Sequence, residues 1–184
     1  MSANFNTVAK PGGNRCNLAC RYCFYLENEV PRPGYATMDD LTLEAYIHNT
    51  ISSTPSQNVE FCWQGGEPTL CGLDFFAKVV ELQQRYRGNK MIANSLQTNG
   101  ILLNDKWARF LRRHGFLVGL SIDGPASLHD TWRTTGCGKP TWEKVVQAIR
   151  CLQQHDVPVN AMVVVSRQSA SQGKSLYRCL SREL

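Results

Sequence analysis

Five times along this chain, a short apolar run is followed by a stretch with helical spacing. The apolar runs are residues 5–9, 59–63, 91–96, 116–122 and 158–165. The helical stretches are 41–51, 73–86, 106–113, 142–154 and 172–184. Runs this short and apolar suit strands buried on both faces, as in parallel sheets. Strand–helix alternation without a second block of strands predicts an α/β fold with a parallel sheet and right-handed crossovers. Thr37-Met38-Asp39-Asp40 offers caps and early acidic residues to the first helix. The Pro31-Arg32-Pro33-Gly34 segment lies within the first β-α connection, so residues 1–184 are expected to form one domain. No C-cap glycine or further strand follows Leu176, Leu180 and Leu184, so the chain is expected to stop partway through a larger fold.

Composition narrows the class. With 42% hydrophobic and 19% charged residues, the chain can build a core and is not a disordered tail. The net charge of +5 is scattered, and Arg109, Arg112 and Arg113 read as a solvated helix face. Neither nucleic acid nor an acidic membrane surface is indicated as a partner. No apolar stretch approaches the roughly 18 residues of a membrane span. The first residues lack the basic and apolar regions of a signal peptide, so a cytoplasmic location is expected. In such a reducing compartment, eight cysteines point to metal or catalysis before disulfides.

Polar motifs follow the apolar runs. Cys16-Asn17-Leu18-Ala19-Cys20-Arg21-Tyr22-Cys23 follows the first, and Gln64-Gly65-Gly66-Glu67-Pro68 the second. Gln97-Thr98-Asn99-Gly100 ends the third, and Ser121-Ile122-Asp123-Gly124-Pro125 the fourth. Active sites of parallel α/β sheets and barrels lie at the carboxyl ends of the strands. Four polar strand ends would therefore converge on one face.

The cysteines are spaced C-x3-C-x2-C on one loop. Three thiolates so close can share a metal centre. One reading is zinc completed by a distant residue such as Cys62 or Cys71. The other is an iron–sulfur cluster with one iron left open to a small molecule. Gly65 and Gly66 allow close backbone approach to a ligand, and Glu67 beside them could accept from an ammonium group. The same residues could equally form a tight turn closed by Pro68. Arg133 could hold a carboxylate bidentately or lie on the surface, and Trp63 is a candidate for the cavity rim.

Together these residues resemble the radical S-adenosylmethionine (SAM) superfamily. The C-x3-C-x-aromatic-C pattern at Cys16, Cys20, Tyr22 and Cys23 carries the resemblance, with Gly-Gly-Glu-Pro downstream. Cys23-Phe24-Tyr25, residues 63–70, residues 95–100 and residues 121–125 look like anaerobic sulfatase-maturating enzymes. The resemblance implies a partial (β/α) barrel, about five β-α units of an expected six. It also implies that Cys16, Cys20 and Cys23 ligate a [4Fe-4S] cluster whose open iron binds SAM. One electron would cleave SAM to methionine and a 5′-deoxyadenosyl radical. The radical would take hydrogen from Cβ of a cysteine or serine in a sulfatase, and loss of a second electron and a proton would lead to formylglycine. Tyr22 would lie against the adenine. Gly66, with Gly65 and Glu67, would hold the methionine amino end, and Ser121 and Arg133 match SAM-contacting positions. Asp123 and Gln97 would point into the same cavity. The implied partners are a sulfatase polypeptide and a reduced flavodoxin or ferredoxin-type donor.

The chain also departs from that family. Its members are longer, with a cysteine-rich SPASM domain, auxiliary clusters and a proton-accepting carboxylate in the C-terminal half. None of these is identified here, so no catalytic residue is assigned and substrate oxidation by this chain alone is expected to be impaired. Cys62, Cys71, Cys137, Cys151 and Cys179 read as core or surface thiols. His48, His114, His129 and His155 are dispersed and read as surface or structural. Gly173-Lys174-Ser175 lacks the upstream glycine of a phosphate-binding loop. Two other readings stay open: a different radical SAM peptide-modifying enzyme, and a non-catalytic metal-binding fragment.

Overall fold

A computed structural model describes residues 6–27 and 37–183. Phe5, the 31–34 segment and Leu184 lie outside them. The elements run β1 (Thr7–Ala9), α1 (Phe24–Glu27), α2 (Asp40–Ser53), β2 (Asn58–Trp63), a 3-10 turn (Pro68–Cys71) and α3 (Gly72–Tyr86). They continue with β3 (Met91–Thr98), α4 (Asp105–Arg113), β4 (Phe116–Ser121), α5 (Ala126–Trp132) and α6 (Trp142–Gln154). The last are β5 (Val159–Met162), α7 (Arg167–Ala170) and α8 (Gly173–Glu183).

All five strands are parallel and lie in the order β1-β2-β3-β4-β5. The order never reverses, so each crossover steps the same way round. That is the winding of a (β/α) barrel, whereas a doubly wound sheet reverses at a switch point. The α/β alternation expected from the sequence is therefore present, with an open sheet in place of a closed barrel.

The strands are buried on one face only, not on both as the apolar runs suggest. Val59, Phe61 and Trp63 of β2, Leu96 of β3, and Phe116, Val118 and Leu120 of β4 pack into the core. They meet Leu43 and Ile47 of α2, Phe76 and Val79 of α3, Trp107 and Leu111 of α4, and Val145 and Ile149 of α6. Alternate residues face the other way: Glu60 and Leu117 are exposed, and Ser95, Gln97, Gly119 and Ser121 are half-buried. This second face is lined mostly by small and polar side chains, with Leu117 an exception, and has no helix layer among the described residues.

Trp63 belongs to the core, not the cavity rim. Its indole Nε1 donates to Asn94 Oδ1 at 2.9 Å. Asn94 and Gln83 of α3 exchange two further amide hydrogen bonds. A buried polar group without a partner is costly, so this satisfied set pins the register of β2, β3 and α3.

Local signals account for the element ends. The Asp39 side chain accepts from the Thr42 amide at 2.7 Å, the cap expected for α2. Arg109, Arg112 and Arg113 are exposed on α4. The last strand is shorter than its apolar run. After Met162 the chain turns aside, and the Val164 amide donates to Asp123 Oδ1 at 3.0 Å. Helix α5 has no counterpart in the periodicity, because its seven residues are too few to show an apolar stripe.

Candidate functional site

The cysteine loop is gripped on both sides by backbone. On one side the Gly66 amide donates to Gly13 O at 2.9 Å and the Glu67 amide to Arg15 O at 2.7 Å. On the other, the Ala19 amide donates to Thr134 O at 2.8 Å and the Arg21 amide to Trp132 O at 2.9 Å. A Cβ on Gly66 would lie well inside van der Waals contact of the Asn14 and Arg15 carbonyls. The close approach that Gly66 permits is therefore, first, that of the cysteine loop itself.

The loop closes one wall of a cavity of about 350 Å³. Cys16, Cys20, Tyr22 and Cys23 line it together with Gly65, Gly66, Gln97, Ser121 and Arg133. These come from the loop after β1 and from the ends of β2, β3 and β4, plus the residue after α5. The predicted convergence of strand ends is thus the observed arrangement. Gln97 and Ser121 are bonded across β3 and β4, Nε2 to Oγ, at 3.1 Å. Cys62 and Cys71 do not line the cavity.

Among the loop sulfurs, that of Cys16 is met by two N–H donors. Cys16 Sγ accepts from the Leu18 amide at 3.4 Å and from Asn99 Nδ2 at 3.7 Å. Such N–H donors favour the thiolate. Burial works against them and pushes the Cys16 thiol up, and it pushes Cys20 up to about 11. Thiol protons must therefore leave as metal binds. Among the described residues, the donor group gathered within 4.8 Å is a different one, at Asp105, Cys151 and His155. Three thiols lining one cavity are a donor set that suits a thiolate-ligated iron–sulfur cluster with one iron left open.

Two predicted residues lie behind the wall. Glu67 is almost completely buried, and its carboxylate is fully engaged by the protein. Oε1 accepts from the Thr69 amide at 3.0 Å, Thr69 Oγ1 at 2.6 Å and Thr98 Oγ1 at 2.7 Å. Oε2 accepts from the Asn99 amide at 2.7 Å. Burial pushes the Glu67 carboxyl up, against the pull of these donors. Its place in the site is to clamp the end of β2 to the end of β3.

Asp123 is equally buried. Its Oδ2 accepts from Arg133 Nε at 2.8 Å and from the Tyr22 hydroxyl. The carboxylate that Arg133 holds is therefore Asp123. Burial alone would lower the Arg133 pKa, but Asp123 and Tyr22 outweigh it and keep the guanidinium charged. Its carbon centre lies 5.3 Å from the centroid of the Tyr22 ring.

Behind this pair stands His129, which is completely buried. Its Nδ1 accepts from the Asp123 amide at 3.2 Å. Its Nε2 faces Thr141 Oγ1 at 3.1 Å, and that hydroxyl donates to Arg133 O at 2.7 Å. Thr141 has given its proton away, so His129 Nε2 donates and the ring is neutral. Burial, with the Arg133 charge, pushes His129 down to about 4. The sequence marks His129 only as a dispersed histidine and assigns Asn99 no role. The position of Asn99 in a polar strand end is the signal that could have found it.

The comparisons fit this geometry. A family description, the Radical SAM superfamily, matches residues 11–179. This chain belongs to the radical SAM superfamily. The radical SAM match takes in the cysteine loop, the other three polar strand ends and Arg133. Among curated relatives, the serine-type anaerobic sulfatase-maturating enzyme of Klebsiella aerogenes is 44% identical over 176 residues, 94% of this chain and 43% of that protein. The cysteine-type enzyme of Clostridium perfringens is 40% identical over 174 residues, 93% of this chain and 47% of that protein. A solved structure described as native anSMEcpe with bound AdoMet and Cp18Cys peptide superposes with a TM-score of 0.90 at 37% identity. It covers 98% of this chain and 48% of its own. The radical SAM chain thus spans less than half the length of these relatives.

Proposed function

We propose that this chain is the cluster- and SAM-binding part of an enzyme that oxidises a cysteine or serine of a sulfatase polypeptide to formylglycine. The carrying observation is a three-cysteine cavity, walled by strand-end residues, in a chain 44% identical to a serine-type sulfatase maturase. Cys16, Cys20 and Cys23 would hold a [4Fe-4S] cluster. Bound there, cluster and SAM supply one-electron reductive cleavage and a 5′-deoxyadenosyl radical that takes hydrogen from the target Cβ.

The chain's own residues bind and orient. The Leu18 amide and Asn99 support the Cys16 sulfur. Gly65, Gly66, Ser121 and Tyr22 would contact SAM from the cavity wall. Arg133, held by Asp123, keeps a fixed positive charge there for an anionic group. Glu67 would serve SAM through the backbone it positions, since its own oxygens are occupied. A reduced flavodoxin or ferredoxin-type donor would supply the electron, in the cytoplasm. The auxiliary clusters and proton-accepting carboxylate are not assigned to residues of this chain.

The test is anaerobic reconstitution with iron and sulfide, then SAM cleavage under dithionite. The expected result is 5′-deoxyadenosine released from a brown protein with about four irons, with both lost in Cys20→Ser. Zinc held in place of iron, with SAM left intact, would overturn the reading. A sulfatase-derived peptide containing cysteine or serine then tests the target. Its oxidation, with an unrelated peptide left unchanged, supports the sulfatase over another peptide substrate.

A further inference from the structure

Away from the cavity, Asp105 in the first turn of α4 meets Cys151 and His155 at the end of α6. Cys151 and His155 are four residues apart, so one helical turn brings them to the same side. Cys151 Sγ lies 3.7 Å from Asp105 Oδ1, and His155 Nε2 lies 3.2 Å from the same oxygen. All three donor atoms lie within 4.8 Å of one another. We propose that Asp105, Cys151 and His155 bind a zinc-class divalent cation that ties α4 to α6.

The spacing suits such an ion. With metal–N and metal–O near 2.0–2.1 Å and metal–S near 2.3 Å, tetrahedral edges are about 3.3–3.6 Å. The two separations from Asp105 Oδ1 sit close to those edges, and the third, from sulfur to nitrogen, is within 4.8 Å. A mixed sulfur, nitrogen and oxygen set favours zinc over magnesium or calcium, which prefer oxygen alone. Three protein ligands leave the fourth position to water.

Charge also balances. A thiolate and a carboxylate neutralise the ion, and the imidazole binds neutral through Nε2 with its proton on Nδ1. Binding releases one proton, from the Cys151 thiol. Burial and Asp105 push that thiol up, so occupancy should strengthen as pH rises. Arg109 lies 3.4 Å from the other carboxylate oxygen, Oδ2, and leaves Oδ1 to the ion.

Cobalt(II), a spectroscopic probe for zinc sites, tests this in the full chain without SAM or substrate. The parent protein, Cys151→Ala and His155→Ala are titrated side by side, and circular dichroism checks that each is folded. The parent should bind one more equivalent than either variant, and the parent-minus-Cys151→Ala difference spectrum should show an added thiolate-to-cobalt charge-transfer band. The double variant should lose no more than the single ones, and Asp105→Asn should bind at least ~10-fold more weakly. Binding at the cysteine loop is common to all these proteins and cancels in the comparison. Equal stoichiometry and identical spectra across the series would overturn the site. Should Cys151→Ala fail to fold, His155→Gln gives the same comparison. Failure of the cluster reading would leave this result untouched.

Discussion

Asp123, behind the cavity wall, and Arg133, within it, form a buried ion pair, 2.8 Å from Oδ2 to Nε. The other Asp123 oxygen takes the Val164 amide, so one carboxylate joins the end of β4, the residue after α5 and the turn after β5. Two buried charges cost several kcal/mol of desolvation each, which their attraction must offset. The pair thus fixes a cationic guanidinium at a chosen point in the wall.

Asp123→Asn leaves that cation buried without its counter-charge. Breaking a buried pair in this way costs about 3–5 kcal/mol. Urea denaturation should show the loss as a lower midpoint. SAM affinity should fall with it, because Arg133 and the Tyr22 hydroxyl lose the charged acceptor that fixes both.

Glu67→Gln replaces one acceptor oxygen by an amide nitrogen facing donors. At least one of the Thr69, Thr98 and Asn99 donors then loses its partner, at about 1–3 kcal/mol. The comparison is of unfolding free energies without ligand. A Glu67 that acted only on SAM would leave them unchanged.

Gly66→Ala forces a methyl group into the Asn14 and Arg15 backbone, which has no flexible side chain to yield. Overpacking of this kind costs typically 1–3 kcal/mol. The displaced segment carries Cys16, so iron uptake on reconstitution should fall as well. Gly136→Ala is the control, since a Cβ there meets nothing within 4 Å.

His129 sets a pH dependence. Its pKa falls from 6.5 to about 4 on folding. The unfolded chain therefore binds the extra proton first as pH drops. Stability from this group is full above about 6.5 and declines as pH falls toward 4, by on the order of 3 kcal/mol in total. Urea unfolding at pH 7 and pH 5 should show the decline, and His129→Gln should flatten it.

Much of this was legible in the sequence. The alternation of patterns marked all five strands and the long helices. The motif spacing marked the loop cysteines, and the polar strand ends marked the cavity wall. Leu117 shows why the open face was missed: it sits in an apolar run yet is 39% exposed. Hydrophobicity marks what can be buried, not which face finds a cover. The buried partners of Glu67 and His129 escaped for another reason. A buried carboxylate or imidazole is recognised by its partners, and Thr98, Asn99 and Thr141 reach them only through the fold. Asp105, Cys151 and His155 are likewise brought together only by the packing of α4 against α6.

The unbroken strand order also bears on how the sheet can be made. A ribosome delivers a chain from its first residue onward, and here each strand after β1 pairs with the one delivered just before it. No strand must wait for a later segment to be inserted beside its predecessor. The sheet can grow by addition at a single moving edge, with each new crossover closing only onto chain already released. Entropy lost in loop closure is then divided into modest steps. During growth the backbone groups open to mispairing at any moment belong to two short segments, β1 and the newest strand.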